Sequence, residues 1–219
     1  MGRVPPDSFI ALAEETGNIR LLTRWAIATG IAQARRWNTG GKSIRISLNI
    51  SARDLDDADL PLRIAELLGI HHVAPNQILL EVTESAVMNN PDAAIQTLRR
   101  LADQGIDLAI DDFGVGQSSF AYLRKLPVRE LKIDKVFIAR IAEAPADRVI
   151  VRSIIDLGHQ LGCRITAEGV ENSETLDYLA SVGCDYAQGY LIAKALPADD
   201  FEKLVADSDW RGVAQRVGA

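Results

Sequence analysis

Two periodicities alternate along this chain. Short apolar runs of strand length recur, separated by segments with helical spacing. Ile44, Ile46 and Leu48 alternate with polar residues and lead to Asn49, Ile78-Leu79-Leu80 lead to Glu81, and Leu108-Ala109-Ile110 lead to Asp111-Asp112. Further on, Leu131 and Ile133 flank Lys132, Ile165-Thr166-Ala167 precede Glu168, and Tyr186-Ala187 precede Gln188. The intervening segments carry helix punctuation. Asn90-Pro91 offers an N-cap and a first-turn proline for a helix that ends at Gly105 with Leu98 and Leu101 facing inward. A second helix is predicted from about Asp147 to Leu161, and a third from near Ser173 to Gly183 with Leu176 and Leu179 buried. Ahead of these, Pro5-Pro6-Asp7 opens a short helix ending near Gly17, and a longer amphipathic helix spans Ile19 to Trp37. Gly69, Gly105, Gly162 and Gly183 are each expected to close a helix before the next strand. This order predicts an α/β fold of parallel strands and a single domain over residues 1–219. A parallel α/β barrel would gather the strand C-termini, and their six polar ends, at one mouth, where such folds do chemistry.

Composition narrows the function classes. The chain has 219 residues, 47% hydrophobic and 25% charged, which is ordinary for a globular protein. Its net charge of -6 argues against a long nucleic acid as partner, since phosphate neutralisation needs a basic surface. A small anionic substrate remains open where metal ions supply local positive charge. No apolar run approaches the roughly 18 residues of a membrane span, and nothing resembles a signal peptide. The expected location is the cytoplasm, as a chain or as the cytoplasmic module of a larger or membrane-tethered protein. Cys163 and Cys184 each follow a glycine and precede a strand-like run, so they read as small buried packing residues. His71-His72 falls in an expected loop after Gly69, and His159 on a helix surface.

The sharpest chemical signal is Asp111-Asp112. Neighbours on a strand point to opposite faces, but at a strand end the second can bend toward the first. Two divalent ions about 3.5–4 Å apart share a bridging carboxylate and cleave phosphodiesters through a metal-bound water. Asn49, Glu81, Asp111 and Asp112 are hard oxygen donors suited to Mg²⁺ or Mn²⁺. The plainer alternative is that the aspartate pair caps the next helix. In Glu81-Val82-Thr83-Glu84 the two glutamates are expected on alternate sides of a strand end, Glu81 as metal ligand and Glu84 as support for a neighbouring loop. Lys132 needs carboxylates or a phosphate if it points into the mouth; facing outward it would only snorkel. Phe113-Gly114-Val115-Gly116-Gln117-Ser118-Ser119 reads as a glycine-hinged loop opening a helix at Ser118 or Ser119, with backbone N–H groups able to face an anion. It is neither a Walker A loop nor a dinucleotide fingerprint.

Taken together, Leu48-Asn49-Ile50-Ser51, Glu81-Val82-Thr83-Glu84, Asp111-Asp112-Phe113-Gly114-Val115-Gly116, Leu131-Lys132-Ile133-Asp134, Ala167-Glu168-Gly169-Val170-Glu171 and Gln188-Gly189-Tyr190 resemble the EAL family of bacterial cyclic di-GMP phosphodiesterases in order and spacing. The resemblance covers almost the whole chain. It implies a modified TIM-type (β/α)₈ barrel with a two-metal site of Mg²⁺ or Mn²⁺ that hydrolyses cyclic di-GMP to pGpG. It further implies that Asn49, Glu81 and Asp111 bind the first metal and Asp111 and Asp112 the second. Lys132 and Glu168 would position the attacking water, with Glu168 as base and additional metal ligand, and Gln188 would order the site. Glu84 would anchor the loop from Phe113 through Gly114 and Gly116 to Ser118 and Ser119, linking it to a homodimer interface.

The family's Glu-Ala-Leu tripeptide is absent and would stand before Met1, so about six of eight barrel strands are expected. Gln117 stands where the family has an aromatic residue, and Ala195 where it has proline. A fragment of a longer protein, with a regulatory domain upstream and little activity on its own, is one expectation. A catalytically inactive module that binds cyclic di-GMP or a protein partner is another. An unrelated barrel enzyme acting on a phosphorylated metabolite leaves the motif set unexplained.

Overall fold

The computed structural model describes residues 4–38, 44–116, 120–141 and 144–206. They fall into two compact units, residues 1–108 with 121–127, and residues 109–120 with 128–219.

In the first unit, α1 (Pro6–Glu15) and α2 (Ile19–Trp37) precede β1 (Ile46–Asn49). Then come α3 (Ala52–Leu55), α4 (Leu60–His71), β2 (Ile78–Thr83), α5 (Glu84–Asn89) and α6 (Pro91–Asp103). β1 and β2 pair in parallel from Ile46↔Ile78 to Asn49↔Glu81. α2 packs on β1 and α4 and buries Ile27, Ile31 and Ala34, all essentially inaccessible. α6 presents Ala94, Ile95, Leu98 and Leu101 to the core. Burying each of the larger ones, Ile95, Leu98 and Leu101, contributes about 1.5–3 kcal/mol. Thr97 on the same face satisfies its hydroxyl by donating to the Leu55 carbonyl at 2.8 Å. α3 is one turn held by a reciprocal cap: the Asp54 N–H donates to Ser51 Oγ, and the Ser51 N–H to the Asp54 carboxylate.

The second unit carries β3 (Asp107–Phe113), which begins at the unit boundary, β4 (Glu130–Ile133), β5 (Arg164–Glu168) and β6 (Tyr186–Gln188). They pair in parallel, β3 with β4, β4 with β5, and β5 with β6. α8 (Lys135–Ile138), α9 (Pro145–Gln160) and α10 (Ser173–Ser181) connect them, and α11 (Ala198–Ala206) follows. A short α7 (Phe120–Leu123) lies between β3 and β4 in sequence. α9 buries Val151, Ile154 and Ile155, and α10 buries Leu176 and Leu179, the two residues expected on its inner face. The six strands, each parallel to its partner and alternating with helices, are the βα repeats of a (β/α)₈-type fold. Among the described residues no helix is long and apolar enough to cross a membrane.

Several sequence expectations need correction. Gly69 does not end a helix; α4 runs on to His71, and His72 takes the left-handed turn at φ 53°. The helix closes where Val73, 5% exposed, can bury itself and donate to the Leu68 carbonyl. Asn90 does not cap α6 with its side chain, which donates to Asp56 instead. Glu84 is not on a strand: β2 stops at Thr83, whose hydroxyl accepts the Ala86 N–H and starts α5. Phe113 is the buried last residue of β3 and no part of a loop. Cys163 and Cys184 are buried, as expected.

Candidate metal centre

β4 supplies the centre of the site. Leu131 and Ile133 are wholly buried, and Lys132 between them is 4% exposed. A buried ammonium requires counter-charge. Lys132 Nζ has it at Asp111 Oδ1, 3.1 Å away, and at Glu168 Oε1, 2.5 Å away. The outward, snorkelling alternative is therefore excluded.

The two aspartates reach the same side through a backbone irregularity. Ile110 pairs with Leu131 and Phe113 with Ile133, so Asp111 and Asp112 together oppose the single residue Lys132. This is a β-bulge. Within it Asp112 adopts φ 53°, a left-handed conformation that aspartate tolerates better than most residues. A regular strand would send the two carboxylates to opposite faces. Here Asp111, Asp112 and Glu168 each offer an oxygen, and these oxygens lie within 4.8 Å of one another. The donor set is three hard carboxylates, which fits a divalent ion of the Mg²⁺ class.

The electrostatics follow from this crowding. Burial, the adjacent Asp111 charge, and the hydrogen bond and charge of Asp134 push the Asp112 carboxyl above its ordinary range, against the pull of Lys132. Asp134 is 8% exposed and accepts the Val136 N–H at 2.7 Å, capping α8. It carried no role in the sequence reading, although it closes the Leu131-Lys132-Ile133-Asp134 motif just past the end of β4. Glu130 was also missed. It is 3% exposed and accepts the Thr166 hydroxyl at 2.6 Å.

Glu168 and Gln188 are register partners at the ends of β5 and β6. The β6 end is pressed against the chain after β5: the Val170 N–H donates to the Gln188 carbonyl, and the Leu191 N–H to the Val170 carbonyl, each at 3.0 Å. A side chain at Gly189 would collide with the Val170 backbone. In the first unit, Asn49 and Glu81 are register partners at the ends of β1 and β2, with Glu81 5% exposed. Glu84 heads α5 and is 4% exposed. Gly114, at φ 100°, turns the chain away from β3 beside Phe137, and Gly116 follows it. Ser118 and Ser119 lie outside the described residues.

The chain matches the EAL domain family over residues 1–195. It is 39% identical over 203 residues to the signaling protein YkoW of Bacillus subtilis, covering 93% of this chain and 25% of that protein. It is 38% identical over 206 residues to the bifunctional diguanylate cyclase/cyclic di-GMP phosphodiesterase MucR of Pseudomonas aeruginosa, covering 94% of this chain and 30% of that one. The chain thus spans about a quarter to a third of the length of these relatives. Among solved structures, the PaMucR phosphodiesterase in complex with c-di-GMP superposes with a TM-score of 0.87 at 38% identity, over 90% of this chain and 81% of that one. Motif order, the parallel βα repeats and the family match over most of its length agree: this chain belongs to the EAL domain family.

Proposed function

We propose that this chain is a metal-dependent phosphodiesterase domain that hydrolyses cyclic di-GMP to linear pGpG, with little turnover as this chain alone. The observation that carries the reading is the cluster of Asp111, Asp112 and Glu168 around the buried Lys132. The names of its relatives support the same activity. The reaction adds water across one P–O bond: the attacking oxygen joins phosphorus, the ribose oxygen leaves, and the ring opens.

Bound Mg²⁺ or Mn²⁺ supplies Lewis acidity and lowers the pKa of water. In this reading Asp111, Asp112 and Glu168 would hold the ions, and the family resemblance counts Asn49 and Glu81 among the ligands as well. Glu168 takes the proton of the attacking water, Lys132 orients that water, and Gln188 orders the pocket. The family resemblance gives Glu84 a supporting role rather than a ligand's. The domain extends over residues 1–219 and works in the cytoplasm as a homodimeric module under an upstream regulatory domain.

The test is cyclic di-GMP hydrolysis, followed as pGpG by chromatography, with Mg²⁺ and then Mn²⁺ and with Asp111→Asn alongside. Turnover that the variant loses supports the reading. Tight binding of cyclic di-GMP without turnover would replace it with the binding-module alternative.

A further inference from the structure

Three carboxylates within 4.8 Å of one another repel strongly when no cation lies among them. The ammonium of Lys132 meets that charge. Its side chain is 5% exposed, and it engages one oxygen of Asp111 and one of Glu168. These are two of the three side chains that offer oxygens to an ion, so ammonium and divalent ion draw on the same donors.

We propose that Lys132 is a resident counter-ion of the acidic cluster, holding it together without metal and giving up its ion pairs when a divalent ion enters. Lys132 then sets a threshold for metal occupancy. The inference rests on the metal-binding reading above and adds a competitor to it. The arrangement has two opposite consequences. Removing the ammonium destabilises the metal-free cluster, because its carboxylates lose their counter-charge. It also raises the cluster's affinity for a divalent ion, because nothing must be displaced. A lysine that served only to orient water would leave that affinity unchanged or, as a lost support of the ligands, weaken it.

The experiment is Mn²⁺ titration by calorimetry on the full chain, wild type against Lys132→Met, with folding checked by circular dichroism. The expected result is Mn²⁺ affinity higher by about tenfold or more in the variant, the scale of removing a unit charge a few ångströms from the ion. A lower melting temperature of the metal-free variant, with a larger rise on adding Mn²⁺, is expected alongside. Equal or weaker affinity in the variant, with the wild type still binding, overturns the inference alone. No Mn²⁺ uptake by either chain overturns both it and the metal-dependent function. Lys132→Gln, which keeps an amide donor, serves if the methionine variant does not fold. The wild type gives an independent readout: the ¹⁵Nζ resonance of Lys132 is expected to shift on saturation with Mg²⁺, and an unmoved resonance overturns the inference.

Discussion

Asp112 stands at φ 53° between Asp111 and the buried Phe113, a backbone state that costs an L-residue roughly 1–2 kcal/mol. It also sits beside the like charges of Asp111 and Asp134. Asn tolerates the left-handed region at least as well and carries no charge. Asp112→Asn is therefore expected to raise the melting temperature of the metal-free protein while reducing the further rise produced by Mn²⁺; a scanning-calorimetry pair with and without Mn²⁺ checks both signs. Cys184 gives a pH prediction. Burial pushes its thiol up to about 12, against 9.0 for an ordinary cysteine. The folded state thus keeps a proton that the unfolded state releases. The resulting stability is complete below pH 9 and is lost as pH rises toward 12. Urea midpoints measured across that range are expected to fall less steeply for Cys184→Ala than for the wild type.

At the scale of elements, the tightest joint is the end of β6 on the chain after β5. A Cβ at Gly189 would fall on the Val170 backbone, which cannot rotate aside as a side chain can. Gly189→Ala is expected to destabilise by the upper part of the ~1–3 kcal/mol range for overpacking, and denaturant unfolding measures it. Asp134→Ala should cost about 1 kcal/mol through the lost cap of α8, readable in the same assay. How much was legible varied with the physics. The long helices were: α2 carries enough periods of its apolar face to be read from Ile19 to Trp37. Strand ends were legible because Asn49, Glu168 and Gln188 break apolar runs. Short helices such as α5 and α8 were not, since fewer than two turns show no period and are fixed by a single cap, Thr83 or Asp134. Lys132 could be read either as buried or as snorkelling, because its apolar flanks fit both; only the placement of Asp111 and Glu168 decides it.

Over the whole molecule, divalent ions are expected to act as a folding ligand. At a hundred times its dissociation constant a bound ion adds about 2.7 kcal/mol to stability. The melting temperature should therefore rise with Mn²⁺ or Mg²⁺ and return with EDTA, whether or not cyclic di-GMP is turned over; an unmoved melting temperature would count against a metal centre. The bulge at Asp111-Asp112 has a consequence of another kind. β3 contains one residue more than its pairing with β4 requires. The hydrogen-bonded ladder can be written without Asp112, whereas the carboxylate cluster cannot. Excising that one residue should leave a well-ordered sheet that no longer captures a divalent ion. The extra length in the strand is thus a tolerance held open for chemistry, and folding and competence at this position can be lost independently.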